Sequence, residues 1–274
     1  MSTIIGQKNI LKQIDDWVEV PRFILLSGPI GSGRRTVANY ISNKLGVIPI
    51  VSDIKVDDVR TVIALSHKQS EVAVYLMENI DKMSPAAKNA LLKSTEEPPR
   101  KAYFIMTVQD AENALSTIKS RATILNMDPY TLEELLEYSV AKDMRLTEAE
   151  EDIVTDICNV PGELDNLLKY DILEFYNFIN KVLDNIGKVT GVNAFKIANK
   201  LKFKEEDTGW DISLFMKAIN AIAAYQMTTI YDERYYETIK ITSKYMNEMY
   251  MTGINKQATF DMWILDMRVI WKEE

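Results

Sequence analysis

The chain has 274 residues, a formal net charge of −8, a sequence pI near 5.0 and 47% hydrophobic residues. Its hydrophobic content excludes a globally disordered chain, and its acidic balance disfavours binding of nucleic acid over a broad basic face. A single cysteine excludes an intramolecular disulfide framework and a cysteine-based zinc module. The longest apolar runs are only strand-sized, so we expect no membrane segment and a cytoplasmic protein.

The first half of the chain predicts alternating strands and helices. Short apolar runs predict strands at 23–27, 47–51, 72–77, 103–108 and 123–127. Apolar residues at helical spacing predict helices at 37–45, 56–66 and 86–94. This alternation indicates an α/β layer on a parallel sheet with right-handed crossovers.

After Asp128-Pro129 the pattern becomes helical. Thr131 and Thr147 each precede a glutamate by three residues, which is the arrangement of a capping box and predicts two helix starts. We expect a third short helix after Pro161-Gly162. From about Ile172 onward only helical periodicity is visible, and it predicts a helix bundle.

The most specific motif is GPIGSGRRT, which lies between the first predicted strand and the first predicted helix. In a P-loop, glycines let backbone N–H groups face phosphates at the N-terminus of a helix. A lysine then reaches the β- and γ-phosphates, and the next Ser or Thr holds Mg²⁺. Gly28, Gly31 and Gly33 have the required spacing, so the motif predicts the shape of a phosphate-binding loop.

The positions after these glycines lack the usual catalytic residues. Arg34 stands at the lysine position and Arg35 at the Ser/Thr position, and a guanidinium cannot ligate Mg²⁺. Thr36 comes one residue late, about 100° further around the helix, so we expect its hydroxyl to point away from a metal ion. The sequence therefore predicts a degenerate Walker A motif.

The predicted strand at 72–77 is followed by Glu78 and Asn79, where many NTPases have a metal-linked aspartate and a glutamate that polarises water. Glu78 is one methylene longer than aspartate, and Asn79 cannot accept a proton at neutral pH. Together with the arginines, this degenerate Walker B motif predicts a nucleotide-binding fold without hydrolysis. The alternative is a divergent ATPase in which Arg34 replaces the lysine and Glu78 holds the metal.

Four segments resemble the AAA+ clamp-loader subunits of DNA replication, and they are most similar to the delta prime type of bacterial DNA polymerase III. The segments are GPIGSG (28–33), SDIKVDDVR (52–60), MENIDKMSPAAKNALLKSTEEPP (77–99) and TIKSRATIL (117–125). The resemblance is specific over roughly residues 4–127 and looser beyond. It implies an α/β plus all-α fold with three domains: a RecA-like AAA+ domain at 1–128, a helical lid at 129–170 and a helical collar or oligomerisation domain at 171–274.

The resemblance also implies roles for individual residues. Ser120-Arg121-Ala122 matches the family's SRC motif, so Arg121 would be an arginine finger that reaches into the ATP site of a neighbouring subunit. A finger supplied in trans accelerates GTP hydrolysis by about 10³–10⁵-fold. The family's sensor-2 arginine is replaced by Glu163, and its sensor-1 position falls near Val108. These differences weaken the chain's own ATP site and leave the finger in place.

The implied partners are other clamp-loader subunits in a hetero-oligomer, a pentameric ring. This ring would open a sliding clamp and place it on primed DNA through the assembled complex. The resemblance implies no required cofactor and no metal site, and it leaves binding of ATP or phosphate open. A further alternative is an AAA+-derived scaffold outside replication, because a fold does not determine function.

Overall fold

A computed structural model of the chain describes residues 4–96, 99–204, 209–249 and 253–272. The chain divides into two compact units. The sheet unit comprises Met1–Tyr138 with Val160–Gly162, and the helical unit comprises Ser139–Asn159 with Glu163–Glu274. The three domains predicted from the sequence group the residues differently and stay a prediction.

The sheet unit is built on a parallel five-stranded sheet with the strand order β2-β3-β4-β1-β5. Its strands are β1 Phe23–Ser27, β2 Ile50–Ser52, β3 Ala73–Met77, β4 Ala102–Val108 and β5 Thr123–Asn126. Within β1, Leu25 lies beside Met106 of β4 on one side and Ile124 of β5 on the other. Every residue of β1, β3 and β4 is buried, as expected for central strands covered on both faces. The predicted parallel α/β layer is confirmed.

Side chains of the central strands alternate between two hydrophobic cores, one on each face of the sheet. Leu25 and Phe104 belong to one core, whereas Leu26 and Ile105 belong to the other. The helices of this unit are α1 Lys8–Asp15, α2 Arg34–Lys44, α3 Val56–Ser66, α4 Pro85–Glu96 and α5 Ser116–Lys119. The parallel strands all end at one edge of the sheet, and the loops after them form the candidate site described below.

The remaining helices are α6 Leu132–Ala141, α7 Glu148–Ile157, α8 Pro161–Leu167, α9 Ile172–Asn185, α10 Gly191–Ala198, α11 Ile212–Thr229, α12 Glu233–Met249 and α13 Lys256–Ile270. The capping box at the start of α7 forms, with the Thr147 backbone N–H donating to Glu150 at 2.8 Å. Aromatic rings fill the core of the helical unit: Phe215 lies 5.9 Å from Trp263 and 6.1 Å from Phe260, measured between ring centroids. Over the described ranges, no helix combines the length and apolarity needed to cross a membrane.

Several boundaries differ from the sequence predictions. Strand β2 begins at Ile50 instead of Val47, because Pro49 has no N–H to donate to a ladder. Helix α8 begins at Pro161 itself, a position that favours proline because the first helical N–H is unpaired in any case. Helix α1 was not predicted. Nor were two strands of two residues each, β6 Leu201–Lys202 and β7 Trp210–Asp211, which are too short to show an alternating pattern.

Candidate functional site

The glycine-rich loop joins the end of β1 to the start of α2. Gly31 and Gly33 have φ angles of +87° and +86°, a region that glycine adopts without strain. A Cβ on Gly28 would lie 2.6 Å from the Cβ of Met127, so this position also has no room for a side chain. The spacing that predicted a P-loop therefore corresponds to three positions with a structural requirement for glycine.

The loop is held by contacts that the sequence did not reveal. The Gly162 N–H donates to the Gly31 carbonyl at 3.0 Å, and a Cβ on Gly31 would lie only 2.8 Å from the Cα of Gly162. The Tyr130 hydroxyl donates to the Ser32 carbonyl at 3.1 Å. Burial raises the pKa of Tyr130 above its ordinary value, so the phenol stays protonated as a donor. The only sequence signal for Tyr130 is its place directly after Asp128-Pro129, where the pattern changes.

Arg34 is the first residue of α2 and is only 8% exposed. Its Nη2 donates to Asn79 Oδ1 at 3.1 Å, which joins the start of α2 to the end of β3. Burial lowers the pKa of Arg34, while the charges of Asp81 and Glu78 act in the opposite direction. In the part of the chain that the structure describes, Arg34 Nη1 and Ser32 Oγ are buried without a hydrogen-bond partner.

Arg35 and Glu78 form an ion pair, with 3.6 Å between Nη1 and Oε2. The Arg35 side chain is largely exposed, and the carboxylate is partly exposed. Thr36, the next residue of α2, is also exposed. The Glu78 carboxylate therefore faces the Arg35 guanidinium, which supplies positive charge at that place.

Asn79 has a left-handed backbone, with φ 56° and ψ 52°, which asparagine tolerates better than most residues. Its N–H donates to the Thr107 hydroxyl at 2.9 Å. The sequence analysis assigned the sensor-1 position near Val108, but the Val108 side chain is buried in the core, and the polar contact comes from Thr107. Thr107 is the one polar residue of β4, and this is the signal that identifies it.

The site combines two arginines with two carboxylates, those of Glu78 and Asp81. Across residues 4–96, 99–204, 209–249 and 253–272, no cluster of three or more His, Cys, Asp or Glu side chains could hold a metal ion. The donors at the start of α2 suit an anion, because the N–H groups at a helix N-terminus are positively polarised. Asp81, in the turn after β3, has a buried carboxylate oxygen, Oδ1, without a hydrogen-bond partner among the described residues, and its charge acts on Arg34.

Ser120 and Arg121 lie apart from the glycine-rich loop in the chain, between α5 and β5. Both are exposed, and both donate to the carbonyl of Thr117: Ser120 through its hydroxyl and Arg121 through Nη1, each at 3.1 Å. Ala122 packs against the core. The Arg121 guanidinium therefore lies at the surface, on a turn that is stabilised by the two hydrogen bonds to the Thr117 carbonyl.

The negative charge of Glu163 is paired within the helical unit. Its carboxylate forms an ion pair with Lys217 of α11 and accepts the Asn159 N–H at 2.8 Å, all within the helical unit. The sequence shows no signal for this pair, because the two residues are 54 positions apart.

Comparisons with known proteins identify the relatives of this chain. A family model described as DNA polymerase III, delta subunit, matches residues 46–131. DNA polymerase III subunit gamma of Buchnera aphidicola (subspecies Schizaphis graminum) is 28% identical over 169 residues, which cover 49% of this chain and 47% of the relative. DNA polymerase III subunit delta' of Haemophilus influenzae is 35% identical over 78 residues, which cover 27% of this chain and 24% of the relative. The chain is a relative of the AAA+ clamp-loader subunits.

Two further similarities extend over more of the chain. Replication factor C subunit 4 of Encephalitozoon cuniculi is 24% identical over 262 residues, which cover 83% of this chain and 84% of the relative. A DNA polymerase III gamma subunit-related protein of Thermotoga maritima shares the fold over 96% of this chain and 99% of its own, with a TM-score of 0.54 and 17% identity. The match covers about half the length of the Buchnera gamma subunits.

Proposed function

We propose that this chain is a delta-prime-type clamp-loader subunit that does not hydrolyse ATP. It acts in a hetero-oligomer with other clamp-loader subunits, a pentameric ring that loads a sliding clamp onto primed DNA. Its contribution to catalysis is Arg121, supplied to the ATP site of a neighbouring subunit. The observation that carries the proposal is that arginines occupy the lysine and Ser/Thr positions of the P-loop and contact Asn79 and Glu78.

The contacts at the end of β3 argue against magnesium-dependent hydrolysis. A magnesium ion beside Glu78 would compete with the Arg35 guanidinium for the same carboxylate and would be repelled by it. Asn79 already accepts a hydrogen bond from Arg34, and its amide cannot take a proton from water. Neither usual catalytic role at this strand end is filled.

One observation favours the alternative of a divergent ATPase. Arg34 Nη1 and Ser32 Oγ are buried donors without a partner among the described residues, and buried polar groups are rarely left unpaired. Both belong to the loop that would hold a phosphate. Bound nucleotide would pair both groups, so a test of magnesium-dependent nucleotide binding bears on the choice between the two functions.

The deciding experiment is an ATPase assay of the complex reconstituted with the gamma-type subunits encoded by the same genome. We expect Arg121→Ala to lower the rate about 10³-fold or more, because the charge of the transition state loses its partner. Arg60→Ala is the matched control, since Arg60 is also exposed and contacts Asp57 on its own helix. Equal rates for the two variants would refute the role of Arg121.

A second assay separates the two functions. The triple change Arg34→Lys, Arg35→Thr and Asn79→Glu restores the usual motif residues. Under our proposal the isolated wild-type chain neither turns over ATP nor shows a magnesium-dependent shift of its melting temperature with ATP, and the triple change leaves the activity of the complex nearly unaltered. Turnover by the isolated chain that the triple change increases would favour the divergent ATPase.

A further inference from the structure

The start of α2 offers hydrogen-bond donors that the chain itself does not use. Among the described residues, the N–H of Val37 is the first in α2 with a backbone acceptor, the Gly33 carbonyl at 3.0 Å. The N–H groups of Arg34, Arg35 and Thr36 precede it, and such groups are positively polarised at every helix N-terminus. A helix N-terminus alone does not specify a ligand, so the side chains around it are decisive.

Two side-chain donors beside this helix start are buried without a partner. Ser32 is 1% exposed and Arg34 is 8% exposed, and within the described ranges neither Ser32 Oγ nor Arg34 Nη1 makes a hydrogen bond. Ser32 Oγ faces Gly28 across the loop, 3.1 Å from the place that a Cβ on Gly28 would take. Because buried donors are rarely left unpaired, these two groups indicate that the loop binds an acceptor.

The donors specify the chemistry of that acceptor. Backbone N–H groups, a hydroxyl and a planar guanidinium together match the oxygens of a phosphate group. A second guanidinium is close at hand, because Arg35 is held only by its 3.6 Å pair with Glu78, and 59% of its side chain is exposed. An exposed ion pair of this kind is weak, so Arg35 can turn from Glu78 to a bound phosphate at little cost.

We propose that the loop binds a phosphate group without magnesium, with Arg34 and Arg35 supplying the positive charge that the metal supplies in an active P-loop. The inference rests on the proposed function, in which this loop does not hydrolyse ATP. It accounts for the unpaired donors without any turnover. The phosphate group is that of an inorganic ion or of a nucleotide, since the donors named here contact only phosphate oxygens.

Magnesium should oppose this binding instead of supporting it. An arginine stands at the position where a Ser or Thr hydroxyl would hold the metal, and its guanidinium faces the Glu78 carboxylate. A metal ion on the phosphate would lie near two positive charges and would cancel part of the negative charge that attracts them. The sign of the magnesium effect therefore distinguishes this site from a working P-loop.

Asp81 limits the affinity of the site. Its Oδ1 is buried without a partner among the described residues, and its charge acts on Arg34 together with that of Glu78. The two carboxylates stabilise the charged guanidinium in the free chain, and they repel an added anion. Asp81→Asn should therefore tighten phosphate binding, which is the opposite of what the loss of a donor does.

The test is isothermal titration calorimetry of the isolated full chain with two probes, pyrophosphate and ADP. Each probe is titrated once with EDTA present and once with excess magnesium. We expect binding in EDTA, and binding at least about 10-fold weaker in magnesium because the phosphate then carries less negative charge. Equal affinities mean that the site recognises phosphate alone, and tighter binding of ADP means that it takes a nucleotide. Either result supports the inference.

Substitutions locate the bound phosphate. Ser32→Ala removes an unpaired hydroxyl, so the chain without ligand should be at least as stable as the wild type, whereas pyrophosphate should bind about 5-fold more weakly. Ser42→Ala is the matched control, since Ser42 is also a buried serine but lies near the other end of α2 and donates to the Ala38 carbonyl. This variant should bind pyrophosphate as the wild type does.

Arg35→Thr tests the replacement of the metal by an arginine. It should weaken binding in EDTA about 10-fold, because a charge-assisted hydrogen bond is lost. It should also remove the opposing effect of magnesium, because a hydroxyl oxygen is a ligand that magnesium accepts. An unchanged magnesium effect in this variant would contradict the role of Arg35.

No binding of either probe in EDTA would overturn the inference, and so would binding that Ser32→Ala leaves unchanged. If Arg121→Ala still lowers the ATPase rate of the complex in that case, the proposed function stands. Binding that requires magnesium would overturn the inference and would also favour the divergent ATPase over the proposed function.

Discussion

Glu163 of α8 and Lys217 of α11 form an ion pair within the helical unit. The side chain of Glu163 is 11% exposed and that of Lys217 is 34% exposed, so the carboxylate depends on this lysine and on the Asn159 N–H for its solvation. The pair thus joins α8 to α11.

We predict that Lys217→Met destabilises the protein, because it leaves the Glu163 carboxylate buried without its cation. The expected loss in the free energy of unfolding is about 2 kcal/mol, less than for a fully buried pair because Lys217 is partly exposed. Urea denaturation measures it. Lys240→Met is the control, since Lys240 is exposed and paired with Glu237, and it should change stability by less than about 0.5 kcal/mol. Equal losses in both variants would contradict the role of the pair.

The close approach of Gly31 and Gly162 predicts that an alanine at position 31 is poorly tolerated. Gly31→Ala combines a positive φ with a Cβ 2.8 Å from the Cα of Gly162. Gly46→Ala is the matched control, because Gly46 has φ +73° but no atom within 4 Å of its Cβ. We expect Gly46→Ala to lower the free energy of unfolding by about 1–2 kcal/mol, because of its φ angle alone. We expect Gly31→Ala to lower it by about 1–3 kcal/mol more, because its Cβ also clashes with Gly162. Thermal denaturation of both variants tests this, and similar melting temperatures would argue against the contact.

Cys158 should be unreactive in the folded protein. Burial raises the pKa of its thiol to about 12, so at pH 8 almost no thiolate is present to attack a disulfide reagent. We expect Ellman's reagent to react at least about 100-fold more slowly with the native chain than with the chain unfolded in urea. The variant Thr155→Cys in a Cys158→Ala background is the control, since position 155 is exposed and should react at once. Rapid reaction of native Cys158 would disprove the prediction.

Thr147 should contribute to stability through its capping box. Thr147→Ala removes the hydroxyl that donates to Glu150 in the capping box of α7 and should cost about 1 kcal/mol in the free energy of unfolding. Thr155→Ala changes an exposed threonine inside the same helix and should be neutral or slightly stabilising, because alanine has the higher helix propensity. Chemical denaturation distinguishes the two. A loss at position 155 as large as that at position 147 would be inconsistent with a capping role.

Much of the fold could be predicted because burial leaves a pattern in the sequence. Strands β1, β3 and β4 are covered on both faces, so each appears as a continuous apolar run, and their predicted bounds differ from the structure by at most one residue. The ends of α3 and the capping box at Thr147 were predicted for a similar reason, since they depend on residues a few positions apart. Helix α1 has only eight residues and the strands β6 and β7 only two each, so their patterns are too short to interpret.

The sequence by itself identified the loop glycines, the two arginines that follow them, and Glu78 with Asn79 as candidate site residues, because a motif is recognised from the spacing of residues within one segment. Only the tertiary structure decided which of these groups meet: Arg34 with Asn79, and Arg35 with Glu78. It also decided that the Thr107 hydroxyl accepts a hydrogen bond from the Asn79 N–H. Parallel strands distant in the chain end at the same edge of the sheet, and the resulting contacts depend on packing in three dimensions, which no local pattern of residues records.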